Sequence, residues 1–283
     1  MLKRILIPLD TSEYTDSAIR IAVDMASQER AAEAEAVTLI GMGIVDMDQL
    51  PRGRFSSLVP REEIQRDAEA QVQERIAHFR QIARELGVRE ENIQTRMEEG
   101  SPFKKIIHTS VVCDMVAMGM RCSFPPINQD YESLSNLIHH ASRPIVIADQ
   151  NYQKIDKVVM VMDGTAPSSR MLYAYAQMNP LPLARVIMVH SQEEVAKYAS
   201  LRGFFEQAAT FLQEHRVTVE LRAIDMSDDS KIAELVNAEG AEMIALGVHA
   251  AHFMDHLRDP LGLRRMPVEN LLHATRASLF TVS

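Results

Sequence analysis

Tryptophan is absent from this chain of 283 residues, and aromatic residues make up only 5% of it. So few aromatic side chains do not supply the stacking platform on which proteins bind single-stranded nucleic acid. An excess of positive charge is also lacking, because the formal net charge is −9 and neither half of the sequence is basic. Nucleic acid and anionic membrane surfaces are therefore not expected as partners.

Cysteine is almost as rare, since the chain contains only Cys113 and Cys122, which lack a CxxC spacing. Two cysteines do not make a disulfide framework, and this usage is typical of a reducing, cytoplasmic environment. Long apolar runs are missing too. The N-terminal run is shorter than that of a signal peptide, and no segment approaches the ~20 apolar residues of a membrane span.

The sequence does contain an internal repeat. The segment KRILIPLDTSEYTDSAIRIAVDMA is similar to DKVVMVMDGTAPSSRMLYAYAQM, CDMVAMGM to AEMIALGV, and SNLIHHASRPIVIAD to ENLLHATRASLFTVS. The first segment of each set has an apolar run that ends in an acid, Asp10 or Asp163, before a helical pattern. This duplication predicts two domains, residues 1–152 and 153–283, with the boundary in the polar segment 149–156.

Apolar runs alternate with helical patterns in both repeats, which predicts an α/β fold with parallel strands and right-handed crossovers. Pro102 and Pro267 stand where helices are expected to begin, a position that tolerates proline. Asp46–Arg66 has no periodicity and is interpreted as a flap after the second strand. Strands are predicted near residues 3–9, 36–45, 92–98, 114–119, 144–148, 156–162, 184–190, 217–224, 242–247 and 278–282.

In this order, the segments ILIPLDTSEYTDSAIRIA, EEGSPFKKI and HHASRPIVIA make the chain resemble the universal stress protein family. The resemblance covers both repeats, which implies a tandem member. It implies a Rossmann-like fold of the adenine nucleotide alpha-hydrolase type, with a five-stranded parallel sheet and flanking helices in each domain. It also implies pairing between domains, here within one chain through the final strands PIVIAD and SLFTVS, and a homodimer of chains as a further alternative.

ATP-binding members of that family hold the nucleotide with the acid after strand one and with a glycine loop that opens a helix. The loop reads Gly, two residues, Gly, nine residues, Gly, then Ser or Thr. Asp10 matches the acid of the first repeat, Gly119 the first glycine and Ser133 the final Ser. Cys122 occupies the second glycine position and Glu132 the third, where a carboxylate repels phosphate.

The second repeat departs from the pattern in a similar way. Asp163 matches the acid and Gly247 the first glycine, whereas Ala250 replaces the second glycine. Arg264 and Arg265 lie just before the final helix, and with Arg258 they offer a replacement anion site, with a solvated loop surface as the alternative. In both repeats the acids have a simpler interpretation, because a carboxylate at that point also caps the helix that follows.

Three functions remain after this comparison. The degenerate loops favour a stress-response protein that binds a ligand or regulates a partner without catalysis. The rivals are a nucleotide-binding protein that hydrolyses ATP slowly and an interaction protein whose pockets stay empty. No residue is assigned to catalysis or to a metal. His249, His252 and His256 would share one face if their segment were helical. The alternatives for this segment are a zinc or other transition-metal site and a polar loop without a metal.

Overall fold

A computed structural model of the chain describes residues 2–33, 36–46, 61–121, 134, 137–226, 230–248, 271 and 274–283. Its strands lie within two residues of the predicted positions, so the strand predictions are confirmed. The strands are β1 (Arg4–Leu9), β2 (Thr38–Val45), β3 (Ile93–Glu99), β4 (Met115–Gly119), β5 (Ile145–Ala148), β6 (Lys157–Val161), β7 (Arg185–Ser191), β8 (Thr218–Ile224), β9 (Met243–Gly247) and β10 (Ser278–Val282).

All ten strands join into one sheet, in the order β3-β2-β1-β4-β5-β10-β9-β6-β7-β8. Neighbouring strands are parallel except at the centre, where β5 and β10 pair antiparallel with Val146 opposite Phe280. These are the two strands for which the sequence predicts an edge contact. The separate five-stranded sheets that the resemblance implies are therefore continuous in this chain, and among the described strands β3 and β8 form the outer edges.

The helices cover both faces of this sheet. The helix α3 begins at Pro102 as predicted, but α2 begins at Arg61, so the predicted flap is wrong for residues 61–66. Glu62 and Glu63 lie in the first turn of α2, where the helix dipole favours negative charge. The described helices are α1 (Tyr14–Glu33), α2 (Arg61–Glu85), α3 (Pro102–Ser110), α4 (Ala166–Met178), α5 (Gln192–Lys197), α6 (Ala199–Glu214) and α7 (Ser230–Glu239).

The rest of the predicted flap, residues 47–60, and Pro267 lie outside the described residues. The segment 149–156, where the sequence predicts the domain boundary, forms no helix or strand. Within the described residues, no helix combines the length and the apolarity needed to cross a bilayer.

Two apolar layers enclose the sheet because successive side chains of a strand point to opposite faces. Ile5 and Ile7 of β1 belong to the layer that contains α1 and α4, whereas Leu6 belongs to the layer that contains α3 and α7. In β6, Val158 and Val159 divide between the layers in the same way. Both layers therefore run through both halves of the chain.

The two halves are also held alike at the amino ends of their strands. Asp114, just before β4, accepts hydrogen bonds through Oδ2 from the backbone N–H groups of residues 3–4, both at 2.8 Å. Glu242, just before β9, accepts bonds through Oε2 from the N–H groups of residues 156–157, at 3.2 and 2.9 Å. A carboxylate thus satisfies the first donors of the central strand in each half.

Candidate functional site

The candidate site lies at the carboxyl ends of the central strands, where the strand order of each half reverses. In the first half β1 pairs with β4, so Asp10 and Gly119 follow or end neighbouring strands. In the second half β6 pairs with β9, which brings Asp163 and Gly247 to the same relative place. In open α/β sheets this crevice is the usual place for a ligand.

Asp10 is buried, with 6% of its surface exposed, and it organises the loop between β1 and α1. Its Oδ1 accepts hydrogen bonds from the backbone N–H of Ser12 at 2.9 Å, from the Ser12 hydroxyl at 2.8 Å and from the Thr15 hydroxyl. The Ser12 Oγ also lies 2.9 Å from the carbonyl oxygen of Arg121, in the loop after β4. Because a hydroxyl donates only one proton, Ser12 bonds either the carboxylate or that carbonyl at a given moment.

Asp163 holds the corresponding loop of the second half through a helix cap. Its Oδ1 accepts bonds from the N–H of Thr165 at 2.9 Å and from the Thr165 hydroxyl at 2.6 Å. Thr165 is the N-cap residue of α4, and its Oγ1 accepts a bond from the N–H of Ser168. Asp163 therefore contributes to capping indirectly, by fixing the residue that caps the helix.

The resemblance implies that Gly119 and Gly247 are the first glycines of nucleotide loops. In the structure both glycines also have a packing role. A Cβ on Gly119 would lie 2.4 Å from the Cβ of Tyr14, and a Cβ on Gly247 would lie 2.3 Å from the carbonyl carbon of Pro167. Tyr14 and Pro167 each stand four residues after the acid of their half. The strand end thus lacks a side chain because the first turn of the next helix crosses it closely.

A cavity of about 700 Å³ opens beside Asp10, between the β1–α1 loop and the helices α1 and α2. We call it the α1–α2 cavity. On its α1 side the Asp16 Oδ1 lies 2.9 Å from the His78 Nε2 of α2. Four carboxylates and one guanidinium belong to its wall, which is therefore acidic. The charged and polar lining residues are Asp10, Thr11, Ser12, Glu13, Thr15, Asp16, Gln71, Glu74, Arg75, His78 and Gln81.

Arg75 is the basic group of this wall. Its buried Nε has no hydrogen-bond partner among the described residues. Burial lowers the pKa of the Arg75 guanidinium, and the nearby Asp10 carboxylate acts in the opposite direction. The sequence interpretation missed Arg75, although Gln71, Arg75 and His78 follow a spacing of four and three that places them on one face of a helix.

The family model of the universal stress protein family matches residues 1–148. The chain belongs to the universal stress protein family. No curated protein matches the chain significantly. The matched region contains Asp10, Gly119 and the whole α1–α2 cavity, so these features lie in a domain of universal stress protein type.

Solved structures extend the likeness in fold to nearly the whole chain. A universal stress protein from Archaeoglobus fulgidus DSM 4304 has a TM-score of 0.69 at 16% identity, and the match covers 99% of this chain and 96% of that chain. A protein of unknown function from Pseudomonas aeruginosa PAO1 has a TM-score of 0.55 at 14% identity, with 99% and 92% covered. At such identities the likeness establishes the shared fold.

The remaining predicted site residues lie outside the described part of the chain. These residues are Cys122, Ser133, Arg258, Arg264 and Arg265, together with Glu132, Ala250 and the histidines His249, His252 and His256. Their assignments as positions of a degenerate universal stress protein loop, as an anion site or as a metal site stay predictions. Within the described ranges, no group of three or more His, Cys, Asp or Glu side chains is arranged to hold a metal ion.

Proposed function

We propose that this universal stress protein is a tandem member, with domains 1–152 and 153–283, that binds a small ligand in the stress response without catalysing a reaction. Support for two domains comes from the repeated strand order and from the matching contacts of Asp10 and Asp163. A glycine at the end of the fourth strand of each half adds to it. The sparse cysteine usage supports a cytoplasmic location.

The observation that carries the binding role is the α1–α2 cavity. It combines a volume in the usual range for small-molecule sites with a buried carboxylate and a guanidinium that still lacks a partner at Nε. Its net charge indicates the class of ligand. A triphosphate there would meet Asp10, Glu13, Asp16 and Glu74 with only Arg75 to offset them, so a neutral polar or cationic ligand fits better.

The non-catalytic part of the proposal rests on the two acids. In each half the carboxylate already accepts bonds from its own β–α loop, and in the first half it is also buried. A metal ion or a ribose hydroxyl would have to share or displace those contacts. Binding and regulation require no such rearrangement.

A second candidate is a nucleotide-binding protein with slow ATP hydrolysis. What favours it is the agreement of Asp10 and Gly119 with the position of the nucleotide acid and first loop glycine that the family resemblance implies. It would need the loop after β4 to hold phosphates despite Cys122 and Glu132 at the glycine positions.

The test begins with protein purified without added nucleotide, which is denatured so that mass spectrometry can identify any released ligand. A thermal-shift screen of metabolites, and of ATP with magnesium, follows, because a ligand that binds only the folded state raises the melting temperature. We expect a non-nucleotide metabolite whose shift is lost in Arg75→Gln. The shift should be kept in Arg89→Gln, a control at an exposed arginine.

Two results would overturn the proposal. Near-stoichiometric ATP, ADP or AMP, with phosphate release that falls in Asp10→Asn, would establish the nucleotide candidate. A metabolite shift of equal size in Arg75→Gln and wild type would place the ligand outside the α1–α2 cavity. Light scattering on the same samples decides the homodimer, since a mass that stays at one chain at all concentrations excludes it.

A further inference from the structure

A second cavity, of about 740 Å³, lies in the second half of the chain, beside β7, the strand that neighbours the one before Asp163. We call it the α5–α6 cavity. It is enclosed by the carboxyl ends of β7 and β8 and by the helices α5 and α6. Its lining residues are His190, Gln192, Val195, Ala196, Arg202, Glu206, Leu221 and Ala223. Neither the acids nor the glycines of the predicted nucleotide loops belong to this wall.

His190 is the buried polar residue of the α5–α6 cavity, with 6% of its surface exposed. Its ring stacks on Phe205 at a centroid distance of 4.4 Å and an angle of 5°. The Nδ1 lies 3.3 Å from the carbonyl oxygen of Ser191, and an oxygen acceptor there requires the proton on Nδ1. Nε2 then carries a lone pair, and no described residue bonds to it.

In the described part of the first half, the position that corresponds to His190 is covered by a helix. The strand registers align β2 with β7 so that Gly43 corresponds to His190. A Cβ on Gly43 would lie 2.5 Å from Cγ1 of Val72, because the unbroken α2 packs directly on the strand. In the second half the corresponding helical segment is divided at Tyr198 into α5 and α6. The break at Tyr198 leaves a cavity beside His190, whereas α2 occupies the corresponding space beside Gly43.

The α5–α6 cavity is lined by one basic and one acidic side chain that do not form an ion pair with each other. Arg202 and Glu206 stand one turn apart on α6, and neither forms an ion pair with a described residue. An arginine that precedes the acid by four residues is the weaker orientation for a helical pair. The cavity therefore presents a cation, an anion and the Nε2 acceptor, none of them paired with another described residue, and Val195 and Leu221 form its apolar wall.

We propose that the α5–α6 cavity binds a small zwitterion, namely a free amino acid or dipeptide with apolar side chains. The ligand carboxylate would pair with the Arg202 guanidinium, whose planar fork matches a carboxylate. The ligand ammonium would donate to Glu206 and to Nε2 of His190, and the side chain would pack on Val195 and Leu221. The one-turn separation of the two charges, with about 5–6 Å between their Cβ atoms, suits the charge separation of such a ligand.

The test uses L-leucine and leucyl-leucine as probes with the full chain, by calorimetry and thermal shift. We expect saturable binding that weakens about tenfold or more in Arg202→Gln and in Glu206→Gln, since each loses a charge-assisted hydrogen bond. Glu214→Gln is the matched control, because Glu214 lies on the same helix but not in the cavity wall. N-acetyl-leucine and leucinamide, which each lack one charge, should lose most of the affinity.

The side chains of Arg202 and Glu206 are exposed and form no ion pair with a described residue, so both variants should keep the wild-type circular dichroism and melting temperature. The proposal is wrong if neither probe binds at about 10 mM, where even a weak ligand shifts the folding equilibrium. It is equally wrong if N-acetyl-leucine binds as well as leucine, or if both variants bind like the wild type. Arg75→Gln should not change leucine binding, which separates this site from the α1–α2 cavity.

Discussion

The two halves of this chain reach the same backbone arrangement with different side chains. Asp10 and Asp163 both fix the loop after the first strand of their half, but Asp10 does so from a buried position with more donors. Gly119 and Gly247 both clear a path for a helix start, but the second helix meets its strand with backbone atoms. Positions that are dictated by backbone approach are therefore alike in kind in the two halves.

Positions that face the cavities differ between the halves. Gly43 is covered by the continuous helix α2. Its counterpart His190 lines a cavity beside the helices α5 and α6, which are separated by a break. Among the described residues, the second half thus has a cavity at a strand position where α2 packs against Gly43 in the first half.

The largest change in the free energy of unfolding is expected when Gly247 and Gly119 are each replaced by alanine. Gly247→Ala should destabilise the protein by about 3 kcal/mol or more, because the new Cβ meets backbone atoms of Pro167 and Ser168 that have no alternative position. Gly119→Ala should destabilise it by about 1–3 kcal/mol, since only the Tyr14 Cβ lies within 3 Å of the new Cβ there, against three backbone atoms at Gly247. Urea denaturation of both variants measures the difference.

Gly203→Ala serves as the control for this pair. Gly203 lies inside α6 with no atom near its missing Cβ, so alanine should stabilise the helix by about 0.5–1 kcal/mol. Equal losses of stability in Gly247→Ala and Gly119→Ala would contradict the inference that the helix start packs more tightly on Gly247 than on Gly119.

The second prediction compares the two acids. Asp10→Ala should destabilise the fold by about 2 kcal/mol, because two hydroxyls and an N–H lose their acceptor at a buried site. Asp163→Ala should cost about 1 kcal/mol, the usual range for a lost cap contact at a more exposed position. Thermal melting reports both. Stability equal to wild type in Asp10→Ala would mean that the carboxylate is held for a ligand and not for the loop.

Much of the fold could be predicted from sequence because it depends on local patterns. Continuous apolar runs located the ten strands, and Pro102 located the start of α3. The family resemblance, applied to the apolar final strand of each repeat, also identified the two strands that meet at the centre of the sheet. The start of α2 was missed because Arg61 follows a segment rich in proline, glycine and serine, and those residues outweighed the acidic first turn.

The sites were harder to predict because they depend on which elements pack together. The acid after strand one was found through the family resemblance, yet its hydrogen bonds to Ser12 and Thr15 follow from the loop conformation. Arg75 belongs to the α1–α2 cavity only because α2 lies beside α1. His190 reads in sequence as one more residue of a buried strand, and nothing local shows that a divided helix exposes it to a cavity.

The third prediction concerns Tyr175, a buried residue of the second half whose counterpart in the first half is Ala22. Its hydroxyl has no partner among the described residues, so Tyr175→Phe should stabilise the protein by about 1 kcal/mol. Burial raises the pKa of Tyr175 well above its ordinary value of 10. Above pH 10 the unfolded chain therefore loses a proton that the folded chain keeps, and stability falls as pH rises.

Urea midpoints between pH 8 and pH 11 measure this effect. Tyr175→Phe should show a shallower alkaline decline than wild type. Tyr152→Phe is the control in the linker, where burial raises the pKa to about 12 but solvent screens a half-exposed group. A decline of the same steepness in Tyr175→Phe and wild type would show that the phenol does not govern alkaline stability.

The smallest effect is expected at the outer edges of the sheet. On β8, Arg222 donates to Glu220 at 2.8 Å and to Glu239 at 2.5 Å, and these hydrogen bonds lower the pKa of both carboxyl groups from their ordinary 4.5. A lowered carboxyl pKa adds stability above the unfolded value, and this is lost as pH falls through the folded one. Arg222→Gln should therefore be slightly less stable at pH 7, with the difference vanishing in acid.

The opposite edge offers a matched pair with a simpler contact. Lys105 donates to Glu98 of β3 at 2.8 Å as a single bond, whereas Arg222 bridges two acids. Lys105→Gln should therefore change the urea midpoint less than Arg222→Gln at pH 7. High salt should shrink both differences, because exposed charges are screened within about 8–10 Å. If the loss of stability in Arg222→Gln did not depend on salt, the Arg222 side chain would instead contribute by packing, through its methylene groups.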